Sequence, residues 1–215
     1  MYQRFVKRVF DVVLSGAGLL ILSPAYLVLA VLVRVFLGSP VIFRQERPGL
    51  NEKIFTLKKF RTMTDQKDQD GKLLPDCERL TSFGKFLRAT SLDELPELWN
   101  IFVGDMSIIG PRPLLVSYLP YYTDQERKRH SVRPGLTGLA QVSGRNYLAW
   151  DKRLKKDVEY VENITFINDV KILISTISVA LKPDNVAEDT NQAEGNFAQI
   201  RKAQEEAVKA KRNPY

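Results

Sequence analysis

Three carboxylates fall within one short run, Ser91 to Glu97 (SLDELPE), and this run is the part of the chain best suited to chemistry. One interpretation is structural: Ser91 and Glu94 fit a capping box, and Pro96 is tolerated in the opening turn of a helix. The other is functional. Asp93 and Glu94 would hold Mg²⁺ against a substrate phosphate, because hard carboxylate oxygens suit this ion, and a carboxylate can also attack phosphorus. The two interpretations are compatible.

Basic residues recur in turns, where a rigid backbone would present them to phosphate. Proline or glycine flanks four of them: Arg47, Arg112, Arg133 and Arg145. Proline fixes the backbone, glycine lets it approach closely, and the guanidinium fork matches phosphate oxygens. Lys59 and Arg88 lie in other basic segments. Any one of these residues taken alone is better explained as a solvated surface charge, but the set favours phosphate recognition.

Composition excludes several other chemistries. The 215 residues include a single cysteine, Cys77, and a single histidine, His130, which excludes an internal disulfide framework and a site with several histidine ligands. The chain has no Walker loop and no GxGxxG motif, which argues against an ATPase or a Rossmann enzyme. The formal net charge of +7 favours anionic partners. We expect His130, inside the basic run 127–130, at the surface.

An apolar segment near the N-terminus, Val12 to Val33, has 22 residues without a charge. About 20 such residues can cross a bilayer as a helix. Pro24 removes a backbone donor in the middle of the segment, which predicts a sharp bend at Ser23-Pro24. The Ser23 hydroxyl would then satisfy a freed carbonyl near Leu19 and Leu20.

Basic residues flank both ends of this segment, with Lys7 and Arg8 before it and Arg34 and Arg44 after it. The positive-inside rule would keep both flanks on the cytoplasmic side. Together with the bend, this pattern favours a re-entrant helix-break-helix hairpin, and hence a monotopic membrane protein. A proline-kinked helix that spans the bilayer is the alternative.

The rest of the chain predicts an α+β, mainly helical domain. Two short strands, 41–43 and 53–57, flank a Pro48-Gly49 turn and predict a hairpin. Helices are predicted at 92–103, 148–161 and 169–181, and segments 114–122 and 132–139 are predicted as loops or short helices. The chain then has three parts: a re-entrant membrane helix (1–37), a small cytoplasmic domain on the membrane surface (38–182) and a charged tail (183–215).

Several stretches resemble one known family, the monotopic phosphoglycosyl transferases, also called bacterial sugar transferases. The matching stretches are LKKFRTM (57–63), TSLDELPELWNIFVGDMSIIGPRP (90–113), VRPGLTGLAQVSGRN (132–146) and KRVFDVVLSGAGLLILSPAYL (7–27). The resemblance runs from about residue 1 to 182 and is closest to the short members that start bacterial N-linked glycan assembly with UDP-N,N′-diacetylbacillosamine.

The resemblance implies that a sugar phosphate passes from a UDP-sugar to undecaprenyl phosphate, with release of UMP. Asp93 is then the nucleophile of a two-step, ping-pong reaction with a covalent phospho-sugar intermediate. Glu94 is its partner and helps to place Mg²⁺ or the polyprenol phosphate. Four basic residues match the family's phosphate- and nucleotide-binding positions: Lys59, Arg88, Arg112 and Arg145. Ser23-Pro24 marks the re-entrant break.

The same resemblance implies a location on the cytoplasmic face of the bacterial inner membrane, in contact with phospholipid. We expect no nucleic-acid partner, and a homodimer is left open. The competing class is a membrane-anchored basic module that binds anionic lipid or nucleic acid without catalysis. Against that class, the chain carries no RRM, helix-turn-helix or OB signature, and the acidic run 91–97 would repel a polyanion.

Overall fold

The computed structural model of the protein describes residues 2–144, 148–180 and 197–212, and it has the predicted α+β, mainly helical fold. The strands are β1 (Ile42–Pro48), β2 (Ile54–Phe60), β3 (Ser107–Ile109) and β4 (Gly135–Thr137). The α-helices are α1 (Lys7–Ile21), α2 (Ser23–Leu37), α3 (Asp76–Arg79), α4 (Ser82–Ala89), α5 (Glu97–Val103), α6 (Asp124–Arg127), α7 (Leu139–Val142), α8 (Trp150–Glu162), α9 (Phe166–Ala180) and α10 (Phe197–Arg212). A π-helical turn (Tyr2–Val6) and 3₁₀ turns (Leu50–Glu52, Leu92–Glu94, Val116–Tyr121, Lys128–Ser131) complete the elements.

Helices α1 and α2 meet at Leu22 with a bend of 63°. By length and composition, no single described helix could cross a membrane, whereas this bent pair taken together could. The Ser23 hydroxyl donates a hydrogen bond to the Leu20 carbonyl (2.8 Å), which confirms the predicted break and its predicted hydroxyl partner. Pro24 lies in the first turn of α2, where its missing N–H leaves no helical bond unmade.

Helix α1 is fixed to the rest of the domain through polar contacts. The buried Asp11 carboxylate accepts hydrogen bonds from the Ser107 hydroxyl (3.0 Å) and the Ile108 N–H (2.9 Å) in β3. Arg8 donates to the carbonyls of Ile101 (2.6 Å) and Phe102 (2.8 Å), near the C-terminal end of α5. A cation suits that end of a helix because unpaired carbonyls make it negative. The N-terminal half of α1 is therefore joined to α5 and β3, which lie next to the candidate site.

The predicted hairpin is present, with strands longer than the sequence indicated. Strands β1 and β2 pair antiparallel along their full lengths. Phe60, at the end of β2, packs in a buried cluster with Val33 of α2 and Leu87 of α4. This cluster joins the bent helix pair to the sheet.

Strands β3 and β4 form a second, parallel pair, in which Ser107 lies opposite Gly135 and Ile109 opposite Thr137. The prediction of a loop or short helix over 132–139 is therefore wrong for β4. Each strand has three residues, which is too short for an alternating pattern to stand out. The two backbone segments approach closely here. A Cβ on Gly135 would lie 2.1 Å from the Gly110 nitrogen, so only glycine fits at position 135.

The later helices follow the sequence prediction. Helices α8 and α9 cover the segments predicted as helical, and residues 116–121 form the predicted short helical turn. The described end of the tail is α10, whose first residue, Phe197, is fully buried. Its ring contacts those of Tyr118, Tyr122 and Trp150, so α10 packs onto the domain. Residues 181–196 lie outside the described part of the chain.

Candidate active site

Asp93 and Glu94 lie on a 3₁₀ turn that precedes α5. Ser91 has a left-handed backbone (φ 56°), and its N–H donates to the Arg88 carbonyl (3.2 Å), so it closes the end of α4. Its side chain makes no capping bond, and α5 begins only at Glu97. The predicted capping box is therefore wrong, since an N-cap residue needs an extended backbone. A left-handed non-glycine residue costs about 1–2 kcal/mol, and such strain clusters at functional sites.

Asn100 fixes α5 against β2 and so holds the turn beside Lys59. Its amide nitrogen donates to the Thr56 carbonyl (2.8 Å), and its amide oxygen accepts from the Lys58 N–H (3.1 Å). Asn100 is 1% exposed, and a buried side-chain amide needs such partners. The sequence analysis missed this residue. Its only signal was a single polar position inside the apolar run LWNIFV.

Glu94 is bound by two cations. Its Oε1 accepts hydrogen bonds from Lys59 Nζ (2.7 Å), at the end of β2, and from Arg112 Nη2 (2.8 Å), in the segment that follows β3. Burial alone would raise the pKa of Glu94, but the charges and hydrogen bonds of Arg112 and Lys59 outweigh burial and lower the pKa. The Glu94 charge in turn raises the pKa of Arg112. Glu94 is therefore a fixed negative charge at neutral pH.

Asp93 has the opposite environment. The residue is 8% exposed, and no side chain or N–H in the described part of the chain donates a hydrogen bond to its carboxylate. Burial and the Glu94 charge raise the pKa of Asp93, and the charges of Lys59, Arg112 and Arg88 oppose the rise, which leaves a net pKa of about 6. At neutral pH the Asp93 carboxylate is thus mainly ionised, is more basic than an ordinary aspartate and accepts no hydrogen bond from a described residue. These properties suit a nucleophile.

Glu97 is a third acid in the site, and the sequence analysis assigned it no role. Its Oε1 lies 3.0 Å from Lys59 Nζ without hydrogen-bond geometry, and that buried oxygen has no hydrogen-bond partner. Burial and the Glu94 charge raise the pKa of Glu97, and Lys59 and Arg112 oppose the rise, which leaves a net pKa of about 7. Lys59 therefore lies between two carboxylates of different basicity.

The other predicted basic residues are placed as follows. Arg88, in the last turn of α4, donates through Nε to the Thr62 hydroxyl (3.1 Å), and it is close enough to Asp93 to lower its pKa. The Arg112 side chain is 41% exposed, which leaves part of the guanidinium accessible to a ligand. Arg145 lies outside the described residues. The structure thus brings Lys59, Arg88, Asp93, Glu94 and Arg112 together at one site.

The donor set at this site fits Mg²⁺. In the described part of the chain, no group of three or more His, Cys, Asp or Glu side chains is arranged to hold a metal ion. However, Asp93 carries no hydrogen bond there, and both bonds to Glu94 fall on Oε1 alone. Two carboxylates with free oxygens suit an ion that keeps several waters and binds substrate phosphates for the rest.

His130 corrects one expectation. It was predicted at the surface, but it is 5% exposed and packs edge-on against the Tyr122 ring (5.2 Å between centroids). Burial and the neighbouring Arg129 charge together lower its pKa to about 4, against an opposing effect of Glu52. The prediction was wrong because it rested on the neighbouring basic residues. Helix α8 packs against the turn Lys128–Ser131 and Tyr122 packs against the His130 ring, and these contacts exist only in the folded chain.

Comparisons with known proteins point to one family. A family model described as bacterial sugar transferase matches residues 2–183. An uncharacterized sugar transferase, EpsL of Bacillus subtilis, is 46% identical over 192 residues, which cover 89% of this chain and 95% of EpsL. The undecaprenyl-phosphate galactose phosphotransferase of Salmonella typhimurium is 40% identical over 200 residues, and the UDP-glucose:undecaprenyl-phosphate glucose-1-phosphate transferase of Klebsiella pneumoniae is 39% identical over 182.

The alignments differ in how much of each relative they include. They cover 85% and 80% of this chain for the Salmonella and Klebsiella proteins, but only 42% and 39% of those longer relatives. EpsL, in contrast, is matched along nearly its whole length. The family model covers both the bent helix pair and every described residue of the candidate site. The chain therefore belongs to the bacterial sugar transferase family.

Proposed function

We propose that this protein transfers a sugar 1-phosphate from a UDP-sugar to undecaprenyl phosphate, through a covalent intermediate on Asp93. The main support is the contrast between two adjacent carboxylates. Two cations bind Glu94, whereas Asp93 is buried, accepts no hydrogen bond from a described residue and has a raised pKa. The names of the Salmonella and Klebsiella relatives support the substrates. Membership of a transferase family favours this function over a basic module without catalysis.

In the first step, an Asp93 oxygen attacks the phosphorus that carries the sugar. The bond from that phosphorus to the bridging oxygen breaks, UMP leaves with the oxygen, and the sugar phosphate stays on Asp93 as an acyl phosphate. Lys59, Arg88 and Arg112 supply positive charge around the reacting phosphates, which lowers the repulsion between two anions. Glu94 keeps Lys59 and Arg112 in place for this role.

In the second step, an oxygen of undecaprenyl phosphate attacks the same phosphorus. The bond to Asp93 breaks, so the carboxylate is restored and the lipid carries a diphosphate-linked sugar. The soluble donor leaves as UMP before the lipid phosphate takes its place, which is the order of a ping-pong reaction. Neither step needs a net proton transfer from the protein, in agreement with the absence of a histidine from the described residues of the site.

Mg²⁺ fits this proposal as a cofactor. Asp93 and the free Glu94 oxygen would hold it, and when bound it supplies charge neutralisation on the diphosphate. The protein's own part is to hold two ionised carboxylates on adjacent residues of the 3₁₀ turn, both within reach of the Lys59 charge.

The experiment that tests the function is UMP release from a panel of UDP-sugars in the presence of a polyprenol phosphate and Mg²⁺. Repeated turnover, with many UMP released per protein, that depends on both the lipid and one particular UDP-sugar supports the proposal. The panel should include UDP-galactose, UDP-glucose and UDP-N,N′-diacetylbacillosamine. The last of these remains a prediction from the sequence resemblance, whereas the names of the relatives refer to galactose and glucose. No UMP release with any donor would contradict the proposed function.

The bent helix pair is proposed to enter the cytoplasmic leaflet and return. Three features support this topology: the 63° bend, the hydrogen bond from the Ser23 hydroxyl to the Leu20 carbonyl at the break, and the basic residues that flank both ends. Cysteines at the exposed positions Gln3 and Glu46, in a Cys77→Ser background, should both resist an impermeant thiol reagent in intact cells. Labelling of one site alone would establish a spanning helix instead.

A further inference from the structure

We propose that Arg129 is a positioning residue for the transfer reaction, which acts by fixing the backbone of Arg112. This inference rests on the proposed function. Arg129 is 2% exposed and lies in the 3₁₀ turn Lys128–Ser131, outside the acidic run and the motifs that suggested the site. One of its guanidinium nitrogens, Nη2, donates to the Arg112 carbonyl at 2.6 Å.

The rest of the Arg129 guanidinium is also held by the protein. Nε and Nη2 both donate to Oδ2 of Asp157 in α8 (3.0 and 2.7 Å), and Nη1 lies 3.3 Å from Nε2 of His130. The guanidinium also lies over the Tyr122 ring, 5.7 Å from its centroid. Arg129 is therefore not a ligand-binding arginine. Its planar fork links α8 to the Arg112 segment, a geometry that a lysine ammonium reproduces poorly.

The Arg112-Pro113 segment needs such a support because its own elements are short. It follows the three-residue strand β3. Where β3 approaches β4, the contact is between the backbones of Gly110 and Gly135, so no side chains of these residues stabilise the pair. A second arginine, Arg47 at the end of β1, donates to the next carbonyl, that of Pro113 (3.3 Å). The backbone carbonyls of two consecutive residues are thus held from two sides.

The consequence for the site is direct. Arg112 reaches Glu94 through Nη2 at 2.8 Å, so a shift of its backbone moves the cation away from the carboxylate and from the phosphates. A misplacement of about 1 Å can lower turnover by about 10²-fold. Arg129 touches none of the site carboxylates, and its effect passes through Arg112 alone.

A double-mutant cycle tests this inference. We expect Arg129→Lys to lower kcat for UMP release by about 10-fold, with a smaller change in the KM for the UDP-sugar. Arg112→Lys alone should lower kcat more, because it removes the guanidinium that contacts Glu94. The double variant should be no slower than Arg112→Lys, within about threefold, because the guanidinium that Arg129 positions is then absent. Asp157→Asn, which keeps the side-chain shape, should show the same non-additivity.

Arg133→Lys is the matched control. Arg133 belonged to the set of turn arginines that favoured phosphate recognition, but it is not among the residues that the structure brings together at the site. It donates to a backbone carbonyl outside the site, that of Gly104 (2.8 Å). Its effect should be small and should multiply with that of Arg112→Lys. Thermal midpoints are measured for every variant, so that loss of fold is separated from loss of rate. Wild-type kcat in Arg129→Lys, or a double variant whose loss is the product of the two single losses, would overturn the inference. Absence of UMP release by the wild type would contradict the proposed function instead.

Discussion

Two buried clusters in this molecule place a lysine against acidic residues, and they differ in whether every carboxylate is satisfied. The anchor cluster consists of Tyr2, Lys7, Tyr160 and Asp169. Asp169 Oδ2 accepts from Lys7 Nζ and from the Tyr2 hydroxyl, both at 2.6 Å, and Oδ1 accepts from the Tyr160 hydroxyl at 2.9 Å. Both oxygens of this carboxylate are therefore bonded within the protein.

The site cluster, which consists of Lys59, Asp93, Glu94, Glu97 and Arg112, is incomplete by comparison. Two cations converge on one oxygen of Glu94, the Glu97 Oε1 has no hydrogen-bond partner, and Asp93 receives no hydrogen bond from any described residue. A buried polar group without partners costs stability. The anchor cluster thus joins the N-terminal helix to α9, while the site cluster retains unmet bonding capacity for a ligand.

The largest difference between the clusters should appear with Asp93→Asn. This change keeps the shape but removes the attacking charge, so UMP release should fall by about 10³-fold or more. The thermal midpoint should stay equal or rise. The pKa of Asp93 is raised on folding, which means that burial disfavours its ionised form at neutral pH, and the change removes that cost.

Asp70→Asn is the matched control for this prediction, since Asp70 is an exposed carboxylate in the 65–75 loop. It should leave both UMP release and the thermal midpoint unchanged. A marked loss of stability in Asp93→Asn with retained turnover would place Asp93 among the structural residues and remove the contrast between the clusters.

An intermediate effect is expected from Glu94→Gln. The amide can still accept a hydrogen bond, but Lys59 and Arg112 lose the charge that holds them, so turnover should fall by about 10²-fold. The free energy of unfolding should fall by about 1–3 kcal/mol, because two charge-assisted hydrogen bonds are weakened. Steady-state kinetics and chemical denaturation in the same detergent measure the two effects. Wild-type turnover would show that Glu94 only stabilises the fold.

The smallest effect on turnover should come from Asp169→Asn in the anchor cluster. It leaves the Lys7 ammonium without its counter-charge in a buried place, so the free energy of unfolding should fall by about 3 kcal/mol. Turnover per folded molecule should stay within about threefold of wild type. Lys7→Met, which removes the partner charge in the same pair, should behave similarly. A loss of turnover larger than that of Glu94→Gln would mean that the anchor cluster has a role in catalysis.

The sequence predicted what depends on local chemistry. Pro24 disrupts the helix by its own covalent structure, so the bend and the Ser23 hydroxyl partner were predictable. The proximity of Asp93 and Glu94 to basic side chains was predictable because their residue types suit phosphate chemistry and because the motifs resemble a known family. The roles of these residues stay predictions. The Pro48-Gly49 turn between two short strand-like stretches likewise indicated the β1–β2 hairpin.

Long-range contacts decide what the sequence did not predict. The capping box at Ser91 failed because the end of α4 sets the backbone angle of that residue. Strands β3 and β4 have three residues each and pair across 28 positions of sequence, from Ser107 to Gly135. Arg129 carries no local pattern that separates it from surface polar residues. Glu97 stood out only as a member of the acidic run, and Asn100 only as one polar position in an apolar run. Their roles follow from burial, which only the folded chain determines.

The measurement that tests the central claim most directly is mass spectrometry of the protein after incubation with a UDP-sugar donor and Mg²⁺, without polyprenol phosphate. The account predicts a sugar-phosphate adduct on the peptide that contains Asp93, release of one UMP for each adduct, and loss of the adduct when undecaprenyl phosphate is added. A quenched sample of active wild-type protein without an adduct, together with kinetics that require both substrates to be bound at once, would contradict it.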